Sequence, residues 1–404
     1  MDINFAFGGL VAARLLLSFV PLPDQLKYDH LLSSPLTSNL RLHEGIYLFK
    51  NGVDPYSGGV FYQSPLYLSI FSTLLPLNRV SSPIIWTLID AVSAYALVQT
   101  WRARSGVGKS NRDALLAAVY LFNPYLFLPS LAFSTSSISN MLHLLSIMFA
   151  ARRKTSPALF CLAALVHVSL SSTLLVLPVI ILLLGQPKSS LANPKPISID
   201  FEKGRMIGLE FLAHFAVLTL TSTFISGGFQ WLWQTWFVEL SLPDLTPNPG
   251  LWWYFFTEMF DHFRPFFLVA FSVHLLIYIA PVCIKFQYDP LYAAFILTGV
   301  LGTVKAYPTL SDPGLFFTMI SLFPEILPYL RYPIVTSLIH LHASLLLPLF
   351  NHLWLSQGTG NANFFYASTL VFGVANGAAL MDCVWAGLRI ALGETKEGYE
   401  VVQQ

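Results

Sequence analysis

The sequence predicts an all-α polytopic membrane protein with about twelve transmembrane helices, and three observations carry that expectation. Hydrophobic residues make up 55% of the 404-residue chain and charged residues 11%, where soluble domains carry about 25% charge. Mean hydropathy is +0.62. Apolar runs recur from end to end, so residues 1–391 read as a single multi-span membrane domain and not as a soluble domain with an anchor.

Spans are expected near 5–21, 83–101, 113–129, 132–150, 156–169, 171–185, 207–225, 264–284, 290–306, 314–330, 333–354 and 364–390. The first has no basic stretch ahead of it and no small-residue cleavage site, so it reads as a retained helix. The pair 156–169 and 171–185 is short for two crossings and predicts a break around Ser169–Thr173. The run from Pro65 to Pro76 falls well short of the ~20 residues needed to cross. It is expected to pack as a re-entrant helix in the non-cytoplasmic half of the bundle.

Charge gives the spans a direction. Arg102, Arg104, Lys109 and Arg112 crowd one loop, Arg152, Arg153 and Lys154 the next, and Lys188, Lys195, Lys203 and Arg205 a third. The positive-inside rule assigns all three to the cytoplasm. Residues 22–82 and 226–262 are then the large non-cytoplasmic loops, and both termini are cytoplasmic. An amphipathic helix is expected near 37–50, with Leu36, Leu40 and Tyr47 apolar and Arg41, Glu44 and Lys50 polar. Five of the nine tryptophans, Trp231, Trp233, Trp236, Trp252 and Trp253, fall in 226–262, as expected of a loop on the membrane surface. Residues 392–404 read as a flexible cytoplasmic tail.

Several function classes lose their footing in the composition. A net charge of +1 offers no case for nucleic acid. Cys161, Cys283 and Cys383 all lie in apolar runs and suggest neither a disulfide framework nor a zinc site. No metal or other cofactor is expected. The SGVGKS at 105–110 imitates a phosphate-binding loop, but the glycine the motif needs at 103 is Ala103 and no buried strand precedes it. His143, His167, His214, His274 and His340 sit within spans and read as hydrogen-bonded packing residues. His340 and His342 point to different helix faces and make a poor ligand pair. No G-x-S-x-G occurs, and no catalytic constellation suggests itself.

The stretch Glu239–Phe263, ELSLPDLTPNPGLWWYFFTEMFDHF, is the least ordinary part of the chain. Pro247, Asn248 and Pro249 set a turn. A dense run of aromatics follows, with Glu258, Asp261 and His262 inside it. Such a mixture suits the lipid–water boundary, where rings lie among headgroups while polar groups face a ligand. An aromatic belt anchoring the next helix would look similar. Three further polar clusters fall on the same side by the topology above: Lys305 and Tyr307; His352 and Trp354; Asn361, Asn363 and Phe364. Charged and amide groups there can hold phosphate or sugar hydroxyls beside stacking aromatics. The candidate lipid-binding residues are therefore Asp244, Asn248, Tyr254, Phe256, Glu258, His262, Lys305, Tyr307, His352, Trp354, Asn361, Asn363 and Phe364.

LPDLTPNPGLWWYFFTEMFDHF, KAYPTLSD, LFNHLW and GNANFFYA, together with the amino-terminal HEGIYLFKNGVDPYSGGVFYQSPL and the LFNPY at 121–125, resemble the PIG-U family, the U subunit of GPI transamidase. The resemblance runs to about residue 391. It implies a multi-pass endoplasmic reticulum protein, and a bundle like those of the lipid-linked mannosyltransferases of GT-C type. It also implies a non-catalytic subunit that helps bind and present the GPI lipid. Its partners would be the other transamidase subunits, including a cysteine-protease-like catalytic chain.

Two rivals remain. A mannosyltransferase would need acids in the first luminal loop. Asp24, Asp29, Glu44 and Asp54 are there, but no D-x-D, and the position ahead of the 37–50 helix reads Leu36, Thr37, Ser38. Asp54, before Pro55, is expected to start a turn. A transporter would need paired ionisable groups at the midplane. Asp90 and Glu210 are the leading buried acids, neither with an obvious partner, and no internal repeat is visible.

Overall fold

The computed structural model describes residues 3–20, 27–185, 190–195, 200–393 and 398. Asp24, Lys188 and nearly all of the tail at 392–404 lie outside the described residues. Within them every regular element is a helix.

Local chemistry fixes the helix ends. Asp200 caps Phe201–Ser226 through the Lys203 amide, Asp289 caps Pro290–Val304 through the Tyr292 amide, and Asn361 caps Ala362–Leu392 through the Phe364 amide. Gly106 and Gly227 close Ser81–Ser105 and Phe201–Ser226 in the left-handed conformation that glycine adopts without strain. Pro124 has no N–H to continue the helix from Arg112–Phe122, and Asn123 takes up the Tyr125 amide instead. The axis bends there by 52° before Pro124–Leu131.

Each predicted span coincides with a helix, but the helices differ in reach. Ser81–Ser105, Phe201–Ser226, Arg264–Lys285, Pro333–Ser356 and Ala362–Leu392 are long and apolar enough to cross a membrane, and the bent pair is a sixth if it counts as one span. Ala6–Ser18, Ser136–Ala151, Thr155–Val168, Leu170–Leu184 and Pro290–Val304 are shorter apolar helices. The chain is thus an all-helical multi-span membrane protein, with five or six candidate spans by length and composition among the described residues. The break predicted at Ser169–Thr173 is a 3-10 turn, Leu170–Leu175. Pro65–Leu74 is a short helix, buried through Pro65, Tyr67, Leu68 and Phe71.

Pro290–Val304 runs through the core and is buried from Pro290 to Gly302. Phe295 stacks on Phe316, with ring centroids 4.9 Å apart. Gly302 lets the Ser311–Ile320 helix approach so closely that a Cβ there would lie 2.9 Å from the Pro313 nitrogen. By contrast, only 11% of the apolar window of Arg264–Lys285 and of Pro333–Ser356 is buried, so their outer faces await lipid or another chain.

The helix expected near 37–50 is present as Asn39–Lys50; it buries Leu42, Gly45 and Ile46 and leaves Leu40 and Tyr47 exposed. Gly45 is what allows Phe61 to lie on that helix, at 2.5 Å from a would-be Cβ. Two expectations need correcting. Asp90 does have a partner, Arg14 of the first helix, at 2.8 Å in a fully buried pair. Glu210 is not buried: its side chain is 39% exposed, 3.7 Å from His214.

Candidate functional site

Leu242 ends the Trp231–Ser241 helix in a left-handed conformation, and the chain then folds back over residues 304–308. Asp244 anchors this fold. Its carboxylate accepts from Arg41 at 2.7 Å, from the Thr246 amide at 3.0 Å and from the Thr246 hydroxyl at 2.5 Å. Its own amide donates to the Tyr307 hydroxyl at 3.3 Å. Asn248 is buried and makes the predicted turn, its Oδ1 accepting from the Gly250 amide at 2.9 Å and its Nδ2 donating to the Thr246 carbonyl at 3.1 Å. A Cβ on Gly250 would lie 2.5 Å from Pro308, so only glycine lets the turn seat there. Trp252 donates to the Val304 carbonyl at 2.7 Å. Phe256 is buried with it, against Phe271.

Beneath this cover lies a small polar chamber of about 30 Å³, room for roughly one or two waters. Lys305 lines it and is paired with Asp312 at 2.9 Å. Glu239 lines it too, its carboxylate accepting from the Leu170 and Ser171 amides at 3.0 and 2.9 Å and from the Ser171 hydroxyl at 2.5 Å. Gln63 Oε1 and Ser169 Oγ face the chamber, buried and without a partner among the described residues. Sequence reasoning singled out Lys305 and Tyr307 but missed the chamber. Its other walls come from distant segments whose serines and amides look ordinary in isolation.

A second group forms around Trp253. Trp253 is 3% exposed and stacks on Trp354, with centroids 6.1 Å apart, and lies against Phe365 and Tyr366. Its indole Nε1 is buried with no acceptor among the described residues. Tyr254 packs on Tyr366 at 4.7 Å and donates from its hydroxyl to Asn363 Oδ1. Phe364 is exposed and stacks on Phe350. Asn361, Asn363, Glu258 and His262 are exposed, with the His262 ring 4.1 Å from that of Phe263. His352 is exposed beside Gln357. The Tyr366 hydroxyl joins the two groups by donating to the Leu251 carbonyl at 3.1 Å.

The thirteen candidates thus separate into a folded support, comprising Asp244, Asn248, Phe256, Lys305 and Tyr307, and an accessible rim of Tyr254, His352, Trp354, Asn361, Asn363 and Phe364. Glu258 and His262 lie on the adjoining loop. No cluster of three His, Cys, Asp or Glu that could hold a metal occurs among the described residues. Four of the five span histidines have hydrogen-bonding neighbours: His143 with Thr298, His167 with Ser64 and Ser222, His214 with Ser156, and His274 with Tyr278.

The Asp244 anchor predicts a pH response. Burial would raise its pKa, but the hydrogen bonds from Thr246 and Arg41, with the Arg41 charge, outweigh burial and hold the carboxyl below its usual range. A depressed acid contributes stability above the ordinary carboxylate pKa of about 4 and loses it as pH falls through the folded value. The protection of the Thr246 and Gly250 amides against hydrogen exchange, taken relative to the intrinsic rate at each pH, is therefore expected to be high at neutral pH and to fall under acid. Arg41→Met should produce the same loosening already at pH 7, at a cost of about 1 kcal/mol for this partly exposed pair.

Comparison with known proteins agrees with this architecture. A family model described as "GPI transamidase subunit PIG-U" matches residues 8–372. The chain is 35% identical over 365 residues to the GPI transamidase component GAB1 homolog of Schizosaccharomyces pombe, covering 89% of this chain and 86% of that one. It is 34% identical over 395 residues to GPI transamidase component GAB1 of Saccharomyces cerevisiae, covering 95% and 93%. To the GPI-anchor transamidase component PIGU of Mus musculus it is 30% identical over 385 residues, covering 88% and 86%. The expectation drawn from 239–263 and its companion motifs holds, and the chain belongs to the PIG-U family of GPI transamidase subunits.

Proposed function

We propose that this chain is the non-catalytic GPI-transamidase subunit that binds the GPI lipid and presents it for attachment to protein. Membership of the family makes it a component of that complex. The observation that carries the lipid role is the rim around Trp253, where a buried indole N–H lacks an acceptor among the described residues, beside Tyr254, Asn363 and Trp354. A buried donor without a partner costs about 1–3 kcal/mol, which a phosphate or sugar oxygen would recover. Acyl chains would lie on the open apolar faces of Arg264–Lys285 and Pro333–Ser356. The support built on Asp244, Asn248 and Tyr307, with the Lys305–Asp312 pair, would hold the rim in place.

The same reading carries the finer points of topology. The chain crosses the endoplasmic reticulum membrane about twelve times in a GT-C-like bundle, with the rim luminal and both termini cytoplasmic. Basic loops at 102–112, 152–154 and 186–206 support that orientation. The cysteine-protease-like catalytic subunit is the neighbour to which the lipid is offered.

The test is GPI transfer to a reporter protein in cells lacking this chain, rescued by variants. Asn363→Ala and Tyr254→Phe are expected to assemble normally, to lower transfer roughly tenfold, the scale of one lost hydrogen bond, and to let complete GPI lipid accumulate. Normal transfer by both variants would remove the rim from the mechanism. The mannosyltransferase alternative makes a different forecast for Asp54. That carboxylate is exposed and accepts from the Tyr56 amide at 2.9 Å, the predicted turn. Asp54→Asn should therefore leave the lipid fully mannosylated, and an under-mannosylated lipid would mark the chain as a transferase.

A further inference from the structure

A cavity of about 330 Å³ lies between the helices Pro333–Asn351 and Ala362–Leu392. On the first of these its lining residues are Pro333, Thr336, Ser337 and His340, so it follows the helix axis for about 10 Å. Ala379, Asp382 and Cys383 line it from the second. Most of its polar lining groups are already engaged inside the protein. Ser337 donates to the Pro333 carbonyl at 2.7 Å, and the Tyr125 hydroxyl pairs with Ser344. Asn123 donates to the Gly314 carbonyl at 3.2 Å and to the Thr318 hydroxyl at 2.9 Å. The Asp382 carboxylate accepts from the Arg331 and Tyr332 amides at 2.6 and 3.1 Å. His340 meets Phe317 at a steep angle, 4.6 Å away, with its ring nitrogens buried. What the cavity offers a ligand is therefore mainly carbon.

Its surroundings say where such a ligand comes from. Pro333 and Ser337 are exposed, and so are Ile334, Val335, Leu338 and Leu341 beside them. The cavity thus opens on the apolar face that this span turns outward, where the solvent is hydrocarbon. Arg331 stands at one end, between the lining residues Leu330 and Pro333. It is exposed, with its guanidinium 5.2 Å from the centre of the Tyr332 ring and 5.5 Å from that of Trp385. Those contacts leave its side-chain N–H groups without a hydrogen-bond acceptor or ion-pair partner among the described residues. A cation flanked by Tyr and Trp at the end of a span is the pattern of headgroup depth. A guanidinium there can grip a phosphodiester through two N–H groups.

Position decides which leaflet. The same span continues to Ser356 and carries Trp354 of the rim, about 30 Å along the helix from Pro333. That is about the thickness of a bilayer core, so Arg331 and the rim stand at opposite faces of the membrane. We infer that this cavity takes one acyl chain of a glycerophospholipid from the leaflet opposite the rim, with the lipid phosphate on Arg331. The lipid would fill the joint between the two helices as a structural component, apart from any GPI lipid on the rim.

The experiment uses the assembled complex in phosphatidylcholine nanodiscs containing phosphatidylserine with a diazirine near the end of one acyl chain. After irradiation the labelled residues are mapped by peptide mass spectrometry. Wild type is expected to carry label within 336–340 and 379–383, equally in complex from cells that make complete GPI lipid and from cells that do not. Arg331→Glu should lower that label about tenfold, the equivalent of one charge-assisted contact, and Arg331→Lys should keep most of it. Ser337→Trp places an indole in the opening and should remove the label while subunit content and thermal midpoint hold. Asn363→Ala, on the rim, should leave the label as it is. Absence of label from both segments overturns the proposal, and so does label that Arg331→Glu leaves unchanged. Label that disappears without GPI lipid would assign the cavity to that lipid instead. Equal labelling by a diazirine fatty acid would remove the phosphate from the recognition, and loss of a partner subunit with Ser337→Trp would make the cavity a protein interface; either result also overturns it. None of these readouts depends on GPI transfer, so the rim can fail and this site stand.

Discussion

Replacing Arg14 with methionine is expected to destabilise the chain by about 3–5 kcal/mol, the scale for breaking a buried ion pair. Arg14 is fully buried, bonded to Asp90 and Ser130 at 2.8 Å each and to Ser18, with its guanidinium 4.7 Å from the centre of the Phe127 ring. Ser130 donates to the same Asp90 oxygen at 2.6 Å. Three helices, Ile3–Ser18, Ser81–Ser105 and Pro124–Leu131, are therefore joined at one carboxylate. Methionine fills similar space but leaves Asp90 charged with the Ser130 hydroxyl as its remaining donor among the described residues, and a carboxylate in that setting is costly. The thermal midpoint of the purified complex should fall and the amount of assembled complex with it. The double replacement Arg14→Met with Asp90→Leu removes both charges and should recover most of the loss. If the double variant is as unstable as the single, packing and not charge is what Arg14 supplies.

Arg104→Met should rank next, at about 3 kcal/mol. Arg104 closes Ser81–Ser105 and reaches Asp289 at 2.7 Å and Glu325 at 2.7 Å, over the face of Phe323 at 4.4 Å. Asp289 is wholly buried and also caps the central Pro290–Val304 helix. Removing the arginine thus takes the nearest cation from a buried acid and weakens the start of the core helix. Glu325 is 38% exposed and contributes little of this. Glu325→Gln should then be mild and Arg104→Met severe in the same melting assay. Equal effects would put the energy in the exposed pair instead.

How much of this was legible beforehand depends on the range of the interaction. Helices announced themselves through local apolar runs, and the caps at Asp200, Asp289 and Asn361 are local too. The turn at Pro247–Pro249 and the turn started by Asp54 also follow from neighbours in sequence. Arg14 and Asp90 are a different case, 76 residues apart, and nothing in either neighbourhood names the other. The Arg41–Asp244 pair spans 203 residues and fixes the loop that carries the recognisable motif. Composition could find the motif but could not say that Asp244 and Lys305 already have protein partners. The Asn39–Lys50 helix was legible too, but not which of its sides meets the protein: that side carries Gly45 against the Phe61 ring, which lies outside the helix.

The bareness of Arg264–Lys285 and Pro333–Ser356 bears on how much of this chain a cell can keep. A membrane subunit that leaves two spans nearly uncovered presents, when unassembled, the features by which quality-control machinery selects orphans for destruction. Its abundance would then be set by the supply of whatever covers those faces, and surplus copies made in excess of their partners would be short-lived.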